Sequence, residues 1–117
     1  MMQKGDLEFG DIVWAEFDPS IGHEYQNKRP AIVVQSNEQL KKSNLVTVIP
    51  LTAQAVNFIG DDLLIIADKI NRLRTDSVAK VYCITSFDYS RFSKKIGRID
   101  NDSMIAIKRY LKKHFSI

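Results

Sequence analysis

The sequence has little cysteine, proline and glycine. Cys83 is the only cysteine among 117 residues, so no disulfide can form within the chain. We therefore expect a cytoplasmic protein, because disulfides belong to oxidising compartments. Cys83 stands in the apolar run VAKVYCI, where a free cysteine is usually a small buried hydrophobic residue. No internal repeat and no low-complexity segment is present.

Long apolar runs are also missing. No apolar stretch approaches the roughly 18 residues that a membrane-spanning helix needs. The N-terminal segment MMQKGDLEFGDIVW is polar and lacks the apolar region of a signal peptide. We therefore expect no membrane partner.

Histidine is scarce as well. The two histidines, His23 and His114, are far apart in the sequence, and no ligand spacing of a metal site is present. Zinc binding by His23 and Glu24 is therefore not expected. The sequence predicts neither a metal nor another cofactor.

The overall composition is that of one folded domain. The chain is 44% hydrophobic and 26% charged, and its length suits a single domain over residues 1–117. The net charge of +3 is compatible with a polyanionic partner, but it is also ordinary for a small soluble protein.

Patterns of apolar and β-branched residues predict a β-rich chain. Strands are predicted at 11–17, 31–35, 45–51, 63–67, 77–89 and 94–99. The 77–89 run predicts one long strand or a strand with a bulge, and residues 68–76 form either a basic turn or a helical fragment. Pro30 should open its strand, and Pro50 should stop or bend the next one.

Two helical segments complete the pattern. A short helical turn is predicted within 36–44, capped by Ser36 or Asn37, and a helix is predicted over 100–115, capped by Asp100 or Asn101. The final helix has an apolar stripe. Several strands followed by one helix predict a small, strongly curved sheet or barrel that the helix covers.

One stretch of sequence is more specific. The segment GDIVWAEFDPSIGHEYQNKRPAIVV, followed further on by TVIPLTAQ, resembles the MazF/PemK family of toxin ribonucleases. The elements that carry the resemblance match in order and spacing: Gly10-Asp11-Ile12, Asp18-Pro19, Gly22-His23-Glu24, Arg29-Pro30 and Pro50-Leu51-Thr52. The strong match covers residues 10–54, and the remainder agrees in outline.

The resemblance implies a fold, an activity and partners. The fold would be mainly β with a C-terminal helix, an SH3-like small β-barrel of the MazF/PemK/CcdB type. The activity would be metal-independent, sequence-specific cleavage of single-stranded RNA, with 2′,3′-cyclic phosphate and 5′-OH ends. The expected partners are RNA, a second copy of the chain in a homodimer, and a cognate antitoxin whose disordered tail covers the RNA groove.

The resemblance also implies the catalytic residues. In the family, the arginine before proline and the threonine after Pro-x form the catalytic pair, which places these roles on Arg29 and Thr52. An arginine fork can hold two phosphate oxygens, and a hydroxyl can donate to phosphate or orient the 2′-OH. His23 is a candidate acid or base, with an ordinary pKa of about 6.5, or a loop residue that only contacts RNA or antitoxin.

Further residues are expected to bind RNA. Some relatives carry Arg-x-Asp where this chain has Lys80 and Tyr82, which leaves the general base open. Lys80 would then clamp a phosphate, and Tyr82 would stack a base, donate a hydrogen bond or simply pack. The predicted RNA-binding set is Lys28, Glu24, Lys80, Tyr82, Gln54 and Phe17.

Other residues extend this interface. Glu24 is more suited to holding its loop or Arg29 than to chemistry. A wider basic track would comprise Lys28, Arg72, Arg74, Arg91, Lys94 and Lys95, and bases could stack on Phe17, Tyr25 and Phe58. The segment 53–60, which contains Gln54, would flank the RNA groove.

Two other functions stay open. A CcdB-like gyrase poison would share the fold but would need no phosphate clamp. A non-catalytic family member would bind RNA or antitoxin only, and Tyr82 in place of the usual carboxylate favours that alternative.

Overall fold

The computed structural model describes residues 4–17, 28–53 and 62–117. Over these ranges the chain forms seven strands and two α-helices. They are β1 (Asp11–Glu16), β2 (Lys28–Val33), α1 (Asn37–Lys42), β3 (Leu45–Thr52), β4 (Leu63–Ile65), β5 (Ser77–Ala79), β6 (Thr85–Asp88), β7 (Phe92–Arg98) and α2 (Asn101–Phe115). Short 3₁₀ turns occupy Lys4–Asp6, Val81–Cys83 and Tyr89–Arg91.

The strands form one antiparallel sheet. Its order is β4-β5-β3-β2-β1-β7, and β6 pairs with the first half of β3. Within the described ranges no ladder joins β4 to β7, so the sheet is open there. The predicted class, a small barrel-like β-fold with a C-terminal helix, is confirmed.

Both faces of the central strands are buried. Alternate residues of β1, β2 and β3 enter one cluster with Leu40 of α1, and the others enter a second cluster with Ile107 of α2. Ile12, Ile32 and Ile49, for example, face the second cluster, and all three are fully buried. This double burial explains why the strands read as continuous apolar runs rather than as a strict alternation.

Strand β2 begins earlier than predicted. It starts at Lys28, two residues before Pro30, so Lys28 and Arg29 belong to a strand rather than to a loop. Pro30 is tolerated inside the strand because β2 pairs there with β1 alone, and the ladder to β3 begins only at Ala31.

The predicted long strand over 77–89 is interrupted. β5 and β6 both pair with β3, but the 3₁₀ turn at Val81–Cys83 separates them opposite Pro50. The backbone N–H of Lys80 donates to the carbonyl of Pro50. The N–H and C=O of one residue point to the same side of a strand. Because proline has no N–H, Pro50 can accept a hydrogen bond from the neighbouring segment but cannot donate one, and the ladder breaks at this position. Strand β3 itself continues through Pro50 to Thr52.

The ambiguous segment 68–76 is a turn. Asp68 Oδ1 accepts from the backbone N–H groups of Ile70 and Asn71, and Asn71 Oδ1 accepts from that of Asp68. The two side chains therefore stabilise a turn here, and no helical fragment forms. The turn packs on β7, where Gly97 leaves room for the carbonyl of Asn71.

Both helices were predicted, and in each the cap is one of the two candidates that the sequence offered. Ser36 Oγ accepts from the N–H of Gln39 to cap α1, and Asp100 Oδ1 accepts from the N–H of Ser103 to cap α2. Helix α2 covers the second cluster with Met104, Ile107, Tyr110 and Leu111. Neither helix in the described ranges has the length and apolarity required to span a bilayer.

Candidate active site

The predicted catalytic arginine and threonine lie at the ends of neighbouring strands. The last pair of the β2–β3 ladder is Ala31 with Pro50, and Arg29 and Thr52 each lie two residues beyond that pair. Because side chains two residues apart on a strand project from the same face, Arg29 and Thr52 share the face of Ala31 and Pro50. Both side chains are half-buried.

Each member of this pair is held by a strand on its other side. Arg29 pairs with Ala15 of β1, and Thr52 pairs with Val78 of β5. Pro30 follows Arg29 directly and restricts the backbone of that arginine to extended conformations. An arginine fork and a hydroxyl at such positions are suited to donating hydrogen bonds to the oxygens of one phosphodiester.

Lys28 belongs to the opposite side of the sheet and is exposed. It pairs with Glu16 of β1, and both residues line a cavity of about 250 Å³ with Ser90, Arg91, Phe92 and Ser93. The Arg91 guanidinium lies 5.0 Å from the Phe87 ring centroid. Lys28 and Arg91, two members of the predicted basic track, therefore meet at one cavity.

A larger cavity of about 470 Å³ collects three more cations of that track. Arg72, Arg74 and Lys94 line it. Its wall also includes Trp14, Pro30, Leu51, Ala53, Leu73, Thr75, Ser77 and Ile96. Lys95, the sixth cation, instead forms an ion pair with Asp11 at 3.3 Å.

Lys80 does not point to solvent as a phosphate clamp would. Its side chain is buried, and Nζ donates to Asp62 Oδ2 at 2.6 Å. This arrangement argues against the predicted clamp. Tyr82 is 47% exposed and its ring centroid lies 5.9 Å from Lys80 Nζ, so contact with RNA stays a prediction for that residue.

The burial of Phe17 contradicts its predicted role in stacking on an RNA base. Its ring is 5% exposed and makes an edge-on contact with Phe87 at 5.1 Å between centroids. The ring belongs to the first core cluster, which leaves no free face on which a base could stack. The pattern DIVWAEF did not show which of its aromatic residues would turn inward.

Three predicted site residues lie outside the described ranges. They are His23, Glu24 and Gln54, and the predicted stacking residues Tyr25 and Phe58 lie outside as well. Their roles stay predictions.

Two buried carboxylates were missed by the sequence reasoning. Asp11 accepts from Arg98 Nη1 at 2.9 Å and from the backbone N–H of Glu8 at 2.8 Å. Asp62 pairs with Lys80, as described above. The sequence does not reveal the strand pairing that brings Asp62 next to Lys80. In the described ranges, no group of three or more histidine, cysteine or acidic side chains could hold a metal ion.

Cys83 adjoins the same ion pair. Burial raises the pKa of its thiol, and the nearby Lys80 charge offsets part of that shift. The thiol is therefore a weaker nucleophile at neutral pH than a free cysteine, which agrees with the packing role expected for it.

The fold is that of MazF. The structure is similar to crystalline MazF from Deinococcus radiodurans, with a TM-score of 0.82, 22% identity and coverage of 95% of this chain and 97% of that one. It is also similar to an endoribonuclease in complex with its cognate antitoxin from a mycobacterial species. That match has a TM-score of 0.76, 14% identity and coverage of 95% and 96%.

Sequence comparison adds the family. The profile of the PemK-like, MazF-like toxins of type II toxin–antitoxin systems matches residues 8–115, and the chain belongs to this family. Among named relatives, endoribonuclease MazF9 of Mycobacterium tuberculosis is 28% identical over 114 residues, which span 92% of this chain and 95% of that protein.

Proposed function

We propose that this chain is the toxin of a type II toxin–antitoxin system and a metal-independent, sequence-specific endoribonuclease. A single domain over residues 1–117 would act as a homodimer in the cytoplasm, with single-stranded RNA as substrate and a cognate antitoxin as inhibitor. The observation that carries the proposal is the position of Arg29 and Thr52 on one face of the neighbouring strands β2 and β3, each two residues beyond the last pair of their ladder. Family membership and the similarity to proteins named endoribonucleases support it.

Cleavage would use the 2′-OH of the substrate as nucleophile. The reaction needs a base for that hydroxyl, positive charge on the pentacoordinate phosphorus intermediate, and an acid for the departing 5′-oxygen. Arg29 would supply the charge through its planar fork, and Thr52 would donate to a phosphate oxygen or orient the 2′-OH. The products are a 2′,3′-cyclic phosphate and a 5′-OH end.

His23 is the proposed acid or base. An imidazole with an ordinary pKa of about 6.5 can exchange a proton near neutral pH. Tyr82 is a poor base at that pH, because a phenol ionises only near pH 10. Lys28 and the cations of the two cavities would attract the RNA backbone.

Binding without catalysis is the second candidate. The segment matching the Arg-x-Asp of some relatives carries Lys80 and Tyr82, and Lys80 forms an ion pair with Asp62. If the missing carboxylate were indispensable, the protein would bind RNA or antitoxin and leave RNA intact.

Mapping of RNA ends tests the proposal. We would incubate the purified protein with a long unstructured RNA in EDTA, and in parallel with Mg²⁺. We expect the same cuts at one short motif in both conditions, with 5′-OH and cyclic-phosphate ends. RNA that is bound but uncut would support the non-catalytic alternative. Inhibition of gyrase supercoiling with no effect on RNA would identify a gyrase poison.

A further inference from the structure

The ion pair between Lys80 and Asp62 has no role in the chemistry described so far. Its two side chains are 5% and 0% exposed, and Nζ lies 2.6 Å from Oδ2. Removing two charges from water is costly, and apolar residues of similar volume often stabilise a fold as well or better. Its presence is therefore better explained by what it positions than by global stability.

Lys80 connects three strands at one level of the sheet. Its backbone N–H donates to the carbonyl of Pro50 at 3.1 Å, which attaches it to β3. The β4–β5 ladder ends at the pair Leu63 and Ala79, and Asp62 and Lys80 are the residues directly next to that pair. The side-chain ion pair therefore links the start of β4 to the end of β5, and the Lys80 backbone links both to β3.

Thr52 lies at the end of β3, next to the short strand β5 that the ion pair holds. The β2–β3 ladder stops at Ala31 and Pro50, two residues before Thr52. On the other side, Thr52 pairs with Val78 of β5, a strand of only three residues. Lys80 directly follows the last residue of β5 and is two residues beyond Val78.

We propose that Lys80 and Asp62 are positioning residues for the hydroxyl of Thr52. This inference rests on the proposed function. The ion pair holds β5 in one place relative to the end of β3, so that Thr52 meets the scissile phosphate opposite Arg29. A directional charged contact suits this task, because an apolar pair would allow the short strands to slide. Lys80 then acts through Thr52 and does not bind phosphate itself.

An apolar replacement of the whole pair separates positioning from stability. We would combine Lys80→Met with Asp62→Leu and confirm folding by circular dichroism and urea unfolding. The expected result is a kcat about 10- to 100-fold lower, because small misplacements of reacting groups have effects of this size. KM should stay within about threefold, since the pair does not touch RNA. The matched control replaces the exposed pair of α1, with Lys42→Met and Glu38→Leu, and should keep wild-type kinetics.

A second readout does not depend on cleavage. Amide hydrogen exchange at residues 50–52 and 77–79 should accelerate in the double variant and stay unchanged in the α1 control. If wild-type protein does not cut RNA, the proposed function fails, while the exchange result still decides whether the pair positions Thr52.

Other outcomes would overturn the inference. A folded double variant with wild-type kcat and exchange would show that the pair positions nothing. If the double variant has a raised KM and its RNA binding depends less steeply on salt, Lys80 contacts a phosphate instead. If the double variant fails to fold, Asp62→Asn removes the charge at constant size. A wild-type kcat in Asp62→Asn would also contradict the proposal.

Discussion

At the scale of single residues, the reactivity of the Cys83 thiol is determined by its burial and by nearby charges. The thiol is half-buried and lies near both Lys80 and Asp62. Burial is the largest influence and raises its pKa, so the thiolate is scarcer in the folded protein than in the unfolded chain. The thiolate is the reactive form.

We therefore expect slow alkylation of Cys83. At pH 7.5, iodoacetamide should react several-fold more slowly with the folded protein than with the same protein in urea. The rate should rise with pH without levelling off near neutrality, because the raised pKa keeps the thiol protonated there. Mass spectrometry after timed quenching measures both rates. Equal rates in the folded and unfolded protein would contradict the assigned environment.

Individual site residues differ in how far the sequence could predict them. Arg29 and Thr52 were predicted from the motifs Arg-Pro and Pro-x-Thr, and the structure places them on neighbouring strands β2 and β3, while their catalytic roles stay predictions. Phe17 and Lys80 were predicted to bind RNA, but both side chains are buried. Their burial depends on Phe87 and Asp62, which approach from distant segments, and no local pattern encodes such contacts.

At the scale of elements, the cap of α2 provides a defined contribution to stability. Asp100 Oδ1 accepts from the Ser103 N–H at 2.8 Å, and hydrogen bonds with the Ser103 side chain and backbone lower the pKa of the carboxyl. A lowered pKa in the folded state means that the carboxylate stabilises the fold above its unfolded pKa, near 4. That stabilisation is lost as the pH falls through the lower, folded pKa.

Asp100→Ala should lower the free energy of unfolding by about 1 kcal/mol at pH 7, the usual cost of losing an N-cap. The difference from wild type should shrink below about pH 4, as Asp100 becomes protonated in the wild-type protein. Asp100→Asn is the matched control and should remain close to wild type, because asparagine also caps. Urea unfolding at pH 7 and pH 3 measures the effect. An equal difference at both pH values would contradict the role of the charge.

The contact between β7 and the 68–76 turn provides a second test at this scale. A Cβ at position 97 would overlap the backbone carbonyl of Asn71, and the turn is held rigidly by its Asp68 and Asn71 side chains. Gly97→Ala should therefore lower the free energy of unfolding by about 1–3 kcal/mol.

Gly5→Ala is the matched control, because a Cβ at position 5 would have nothing within 4 Å. Its effect should stay within about 0.5 kcal/mol. Thermal unfolding of the two variants side by side makes the comparison. Equal stabilities would mean that the turn can move away from β7 at little cost.

At the scale of the whole molecule, the sequence predicted the class of fold and most of its elements. Apolar runs located the strands, and the capping residues located both helices. It did not predict that β2 begins at Lys28 or that 77–89 divides into two strands. Both features follow from pairing between distant strands, and the break opposite Pro50 requires knowledge of the register with β3.

The proposed function also depends on this scale, because Arg29 and Thr52 are 23 positions apart in the sequence and only the sheet brings their strands together. Their joint action is the central claim. The most direct measurement is the single-turnover rate of RNA cleavage for wild type, Arg29→Ala, Thr52→Ala and the double variant. Arg109→Ala on α2 and Thr47→Ala near the other end of β3 serve as controls.

The account predicts that each single site variant cleaves at least about 100-fold more slowly, as expected when a preorganised donor to a charged intermediate is lost. The double variant should lose less than the product of the two losses, because the residues act as a unit. The controls should stay near the wild-type rate. A wild-type rate in either Arg29→Ala or Thr52→Ala would contradict the account.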